Sequence, residues 1–273
     1  MAFFKIIRPL NCFFVAACVA FAAFLNNSPQ LSPVIFAMLS AAIIAAAGYV
    51  INDFFDIKID MINRPNRILP ARKMPPHVAY LYAVILFLLG IFLSLLTQKI
   101  GCIVLAFINS FVLFFYAKNF KKTILVGNLL VSYTAASAFL YGGICAENIS
   151  NAIVIAIYAF IYTFLRELVK DGEDIEGDRL AQAHTLAIKL GRNNTAGFTL
   201  IPIILIIALH FIFYLNNFFG LITFSLLHIL VSIPLIIFFI ILQKKPEKKN
   251  FALMSKFNKF DMVLILIILW FGI

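Results

Sequence analysis

A chain of 273 residues that is 63% hydrophobic and only 12% charged is not an ordinary water-soluble globular domain. Apolar windows of about 20 residues have the length that crosses a bilayer, and continuous rather than alternating runs exclude membrane β-strands in favour of helices. The net charge of +10 would suit nucleic acid if the basic residues formed one stripe, but they are dispersed between apolar runs, which excludes that partner.

In chain order, apolar spans are predicted at 10–25, 33–51, 78–97, 100–117, 124–145, 149–168, 198–215, 218–242 and 260–273, the last starting as early as residue 255. With the N-terminus inside, every Lys and Arg except Lys99 falls in an inside segment. The positive-inside rule then sets a cytoplasmic N-terminus and an outside C-terminus. The expectation is an all-α polytopic membrane protein: nine transmembrane helices, a single domain over 1–273, in the cytoplasmic (inner) membrane. The N-terminal apolar run has no small-residue cleavage site followed by a polar start, so it reads as a span rather than a signal peptide. Cys12, Cys18, Cys102 and Cys145 lie in or at the ends of spans without a CxxC spacing and read as small apolar residues. The lysine-rich stretch 244–259 reads as a solvated inside loop.

Two of the inside loops, 52–77 and 166–197, hold nine of the twelve acidic residues. Asp53, Asp56 and Asp60 stand at i, i+3 and i+7, and Asp171, Asp174 and Asp178 repeat that spacing. One acidic segment follows the second span and the other the sixth, a period compatible with an internal repeat. Each segment is predicted to continue the helix before it, which puts three carboxylates on one face. Arg64-Pro65 and Leu69-Pro70 end the first helix, and Gly177 is a candidate cap for the second.

Carboxylates so close repel one another, and Mg²⁺ relieves the repulsion while sharing its oxygen ligands with phosphate. A site that ionises a lipid diphosphate needs carboxylates for metal, cations for phosphate oxygens and an apolar trough for the tail. The cations here are Arg64, Arg67, Arg72, Lys118, Lys121, Lys122 and Lys170, and the Phe-rich spans supply the trough. Among the histidines only His184 lies near this chemistry, and none of the four has ligand spacing. Tyr116 precedes the 118–122 lysines and is the tyrosine to test. Glu173 and Glu176 read as solvated, with Arg179 as a partner.

The run Asn52-Asp53-Phe54-Phe55-Asp56-Ile57-Lys58-Ile59-Asp60 resembles the NDxxDxxxD motif of the UbiA superfamily of intramembrane prenyltransferases. Lys170-Asp171-Gly172-Glu173-Asp174-Ile175-Glu176-Gly177-Asp178 is similar to its second motif. Arg8-Pro9-Leu10-Asn11 and Gly127-Asn128 also fit, and within the superfamily Arg8-Pro9-Leu10-Asn11-Cys12, Ile62-Asn63-Arg64-Pro65 and the run from Leu165 to Asp178 are most similar to the geranylgeranylglycerol-phosphate geranylgeranyltransferase branch. The sequence departs from the pattern at Tyr49, where Asn is usual, and at Gln182, His184 and Ala187.

The resemblance implies a prenyltransferase that moves a geranylgeranyl group from its diphosphate to the hydroxyl of geranylgeranylglyceryl phosphate. It implies Mg²⁺ on Asp53, Asp56 and Asp60 and a second Mg²⁺ on Asp171, Asp174 and Asp178. Asn52, Arg67, Tyr116, Lys118, Lys121, Asn128 and Lys170 would face the diphosphate, and Arg8 and Asn11 the acceptor. An aromatic acceptor of quinone biosynthesis, such as a hydroxybenzoate or naphthoate, is the alternative. A metal or phosphate transporter fits less well, because its ionisable groups would sit at mid-membrane rather than at one face.

Overall fold

The computed structural model describes residues 1–25, 29–121, 123–180 and 185–273. Among them are thirteen α-helices and no strand. In order these are α1 (Ala2–Ile6), α2 (Pro9–Phe24), α3 (Leu31–Phe55), α4 (Ile57–Asn63), α5 (Pro76–Leu95), α6 (Ile100–Phe115), α7 (Val126–Cys145) and α8 (Ile149–Leu180). They continue as α9 (Leu186–Phe198), α10 (Leu200–Leu215), α11 (Leu221–Leu227), α12 (Ile233–Lys244) and α13 (Lys248–Gly272). A π-helical turn, Tyr116–Phe120, extends α6, and another, His228–Ser232, joins α11 to α12.

Among the described residues seven stretches are long and apolar enough to cross a membrane: Leu31–Phe55, Pro76–Leu95, Ile100–Phe120, Val126–Cys145, Ile149–Arg179, Leu186–Leu215 and Leu221–Lys244. The predicted first and last spans correspond to α2 and α13. The former is apolar but only 16 residues long, and the latter carries Lys248, Lys249, Lys256, Lys259 and Asp261.

The chain divides into two compact units, Met1–Lys121 with Tyr133–Ala156, and Lys122–Ser132 with Ile157–Ile273. In the first, α2, α5 and α6 pack against α3. Lipid tails are as apolar as leucine, so helices associate in a membrane through close approach and hydrogen bonds. Helix α3 supplies both. Gly48 lets Leu113 of α6 press against the α3 backbone, and Ile44 presses likewise on Gly90 of α5. The Ser40 hydroxyl donates to the Gly90 carbonyl at 2.7 Å and lies 2.8 Å from the Tyr141 hydroxyl of α7.

The ends of this unit differ in how many charged groups they gather. At one end Lys99 pairs with Glu147, and the Asn148 amide donates to the Leu25 carbonyl at 2.6 Å. At the other end, where α2 begins and α3 and α6 finish, lie Arg8, Asp53, Asp56 and Lys121. The cysteines are free, and Cys12, Cys102 and Cys145 are buried as expected.

In the second unit α13 runs antiparallel to the end of α8. Tyr162 donates a hydrogen bond to Asp261, and ten residues further along α8 Gly172 meets Phe251. His210, with Nδ1 3.1 Å from the Ser232 hydroxyl, and His228 belong to an aromatic cluster with Phe211 and Phe224.

Several local expectations need correction. The first acidic segment is not one helix. Asp56 (φ −88°, ψ 0°) separates α3 from α4, so Asp53 and Asp60 lie on different helices. Gly177 caps nothing, because α8 runs through it to Leu180. The stretch 244–259 is helical from Lys248, since Phe251, Met254 and Asn258 recur at helical spacing and are buried while Lys256 and Lys259 face outward.

Glycine substitutions separate packing from propensity. A Cβ at Gly142 of α7 would collide with the Val19 carbonyl of α2, a backbone atom that cannot rotate away. Gly142→Ala is expected to cost more than about 1 kcal/mol, read as a lower thermal midpoint in detergent. Gly177, with nothing within 4 Å of an added Cβ, should gain about 0.5–1 kcal/mol as alanine.

Candidate active site

The first acidic segment is held where α3 stops. Asp53, Asp56 and Asp60 are only 6%, 5% and 5% exposed, so each must be compensated or neutralised. Three cations do this. Arg8 places Nη2 2.5 Å from Asp53 Oδ1, and Arg67 places Nη1 2.6 Å from Asp60 Oδ2 and 3.3 Å from Asp53 Oδ1. Lys121 pairs with Asp56 and reaches the Asn52 side-chain oxygen at 3.2 Å, while the Asn52 amide donates to Asp56 Oδ2 at 2.9 Å.

Each cation comes from a different part of the chain. Arg8 caps α2 with φ 53° and ψ 68°, a left-handed conformation that costs an L-residue roughly 1–2 kcal/mol. Proline at position 9 pre-sets the first helical turn behind it. The guanidinium also lies 5.0 Å from the centre of the Tyr49 ring. Arg67 comes from the turn that follows the expected stop after α4. Lys121 follows the π-helical turn of α6, which carries Tyr116 and the exposed Lys118. Asn11 is exposed on α2.

The second acidic segment lies along one unbroken helix. Asp171, Asp174 and Asp178 are partly buried on α8, and Lys170 is exposed. The Asn128 amide donates to Asp171 Oδ2 at 2.9 Å. Glu176 pairs with Arg192 of α9, at 2.7 Å to both carboxylate oxygens, instead of with Arg179. Arg192 was not singled out in the sequence, and no helical spacing signals it, since it lies sixteen residues beyond Glu176 on another helix. Gln182, His184 and Lys122 lie outside the described residues, while Ala187 is buried on α9.

Each segment by itself offers only oxygen atoms, from three aspartates and, in the first, the Asn52 amide oxygen, and such a set would suit Mg²⁺. Among the described residues no three acidic, His or Cys side chains form a metal cluster; the acids of the first segment are engaged by cations instead. Mg²⁺ does not require such a cage, since it is commonly held by one or two carboxylates together with substrate phosphates and water.

The digeranylgeranylglyceryl phosphate synthase of Sulfurisphaera tokodaii is 36% identical over 80% of each chain. The enzyme of that name from Methanococcus maripaludis is 32% identical over 99% of this chain and 97% of its own. A solved structure of a digeranylgeranylglyceryl phosphate synthase superposes with a TM-score of 0.88 at 31% identity, covering 99% of this chain and 97% of that one. A UbiA homologue from Archaeoglobus fulgidus, bound to DMAPP and Mg²⁺, shares the fold with a TM-score of 0.71 at 16% identity, over 97% of this chain and 99% of its own. Residues 12–264 match the profile of the UbiA prenyltransferase family, and with relatives above 30% identity over most of its length the chain belongs to that family.

Proposed function

We propose that this prenyltransferase transfers a geranylgeranyl group from its diphosphate to the hydroxyl of geranylgeranylglyceryl phosphate, forming an ether, with Mg²⁺ as cofactor. The observation that carries the reading is the buried set of Asp53, Asp56 and Asp60 matched one for one by Arg8, Arg67 and Lys121. Such a set binds a metal and a polyanion when the cations turn from the carboxylates to phosphate. The digeranylgeranylglyceryl phosphate synthases at 32–41% identity support the acceptor, and the Mg²⁺-bound Archaeoglobus fulgidus homologue supports the metal.

In this reading Asp53, Asp56 and Asp60 hold one Mg²⁺, and Asp171, Asp174 and Asp178 hold another. Bound there, Mg²⁺ neutralises the departing diphosphate and so eases ionisation of the allylic carbon–oxygen bond. Arg67, Lys118, Lys121 and Lys170 bind the diphosphate oxygens, with Asn52, Asn128 and Tyr116 orienting carboxylates or phosphate. Arg8 and Asn11 face the acceptor, where Tyr49 stacks on Arg8. Apolar helix walls exclude water while the acceptor hydroxyl attacks the allylic cation and gives up its proton to the released diphosphate. The chain acts as one membrane domain of nine spans, α2 and α13 included. Its N-terminus and its site are cytoplasmic, a topology supported by Lys99 lying at the opposite end of the first unit from Arg8 and Lys121.

Asp56→Ala and Asp174→Ala should each lower turnover on the order of 10²- to 10³-fold while the protein stays in the membrane, measured as labelled prenyl transfer in purified protein. EDTA should stop the reaction and added Mg²⁺ restore it. With labelled geranylgeranyl diphosphate, product should form with geranylgeranylglyceryl phosphate and not with hydroxybenzoate or naphthoate; product with an aromatic acceptor alone would overturn the assignment.

A further inference from the structure

Gly172 stands inside the second acidic motif, between Asp171 and Asp174, and two other helices converge on it. From α13, the Phe251 ring sits so close that a Cβ on Gly172 would overlap three of its carbons. Phe251 is fully buried and cannot retreat freely. From α9, Arg192 donates Nε–H to the Gly172 carbonyl at 3.0 Å while its Nη2 spans both oxygens of Glu176 at 2.7 Å.

Arg192 can reach back because Gly191, at φ 76° and ψ 169°, breaks α9 just before it, a conformation that is nearly exclusive to glycine. The Thr195 hydroxyl fixes that break by donating to the Gly191 carbonyl at 2.8 Å. Lower on α8, Tyr162 donates to Asp261 in a wholly buried contact, so α13 is tied to α8 at two levels.

We infer that Gly172 is the seat on which α9 and α13 fix the angle of the second acidic segment, and that Phe251 and Arg192 are positioning residues for the metal-holding aspartates 171 and 174. The inference rests on the metal role proposed above for those aspartates. A missing side chain at position 172 admits the ring, and the carbonyl of the same residue takes the guanidinium. One point on α8 is therefore held from two directions, within a residue or two of both carboxylates. Partners that orient ligands without touching the metal typically alter metal affinity or activity about 10- to 100-fold.

The test is Mn²⁺ binding to purified full-length protein with inorganic pyrophosphate, read by electron paramagnetic resonance, with thermal midpoint and prenyl-transfer rate measured in parallel. Arg192→Met should weaken Mn²⁺ binding about 10- to 100-fold with the thermal midpoint little changed, and Gly172→Ala should weaken it as much while also lowering the midpoint, since its Cβ overlaps a buried ring. Gly172→Ala with Phe251→Leu should recover most of that loss, and Glu176→Gln should lose far less than Arg192→Met. Unchanged Mn²⁺ binding in both single variants overturns the inference, as does Glu176→Gln matching Arg192→Met, which would reduce Arg192 to a surface ion pair. Should Gly172→Ala not fold, Arg192→Met decides alone. Asp174→Ala is the control for the underlying reading: if it leaves Mn²⁺ binding intact, the metal role itself falls, independently of Gly172.

Discussion

Ionised acids next to a membrane must be compensated, and that requirement organises the first unit. Asp53, Asp56 and Asp60 are nearly inaccessible to water. Removing one partner of a buried pair typically costs about 3–5 kcal/mol because the other charge is left alone. The fold meets the demand by bringing the start of α2, the turn after α4 and the end of α6 to the point where α3 stops. Small residues on α3 make the convergence possible, since Gly48 and the Ser40 hydroxyl let neighbouring helices approach without a hydrophobic drive between them. Packing and chemistry thus share one helix, with its middle serving association and its end the charges.

The second unit solves a different problem. The three aspartates of its motif lie on one continuous helix and are only partly buried. Here compensation is weaker and mechanical support greater, through the Asn128 amide, the Arg192 guanidinium and the α13 contacts. The like spacing of the two motifs therefore conceals unlike local structures, one broken at its middle aspartate and one unbroken.

Much of this was legible in the sequence. The apolar runs marked the long helices, because a bilayer dictates their length and composition. Two runs of spaced aspartates marked the candidate site, Arg67 and Lys121 were read from their charge, and Asn128 from the resemblance of Gly127-Asn128 to the family pattern. The break at Asp56 was hidden, since nothing in the run Phe54-Phe55-Asp56-Ile57 forbids a helix and tertiary contacts decide it. Gly177 was misleading because helix propensity is a weak prior when the helix is already long. The lysines of 244–259 drew attention from the buried stripe of Phe251, Met254 and Asn258 beneath them. Arg192 escaped notice because its reach depends on the backbone of Gly191, which sequence does not display.

Arg67 is shared, with a single guanidinium nitrogen serving both Asp53 and Asp60. An anion that drew this side chain toward itself would uncover Asp60 and leave Asp53 with Arg8 alone, and under the proposed function both would then be freer to take a divalent ion. In that reading diphosphate and Mg²⁺ would be thermodynamically linked, each enhancing the other's occupancy. In the absence of the pair, the protein's own arginine keeps the acids quiet.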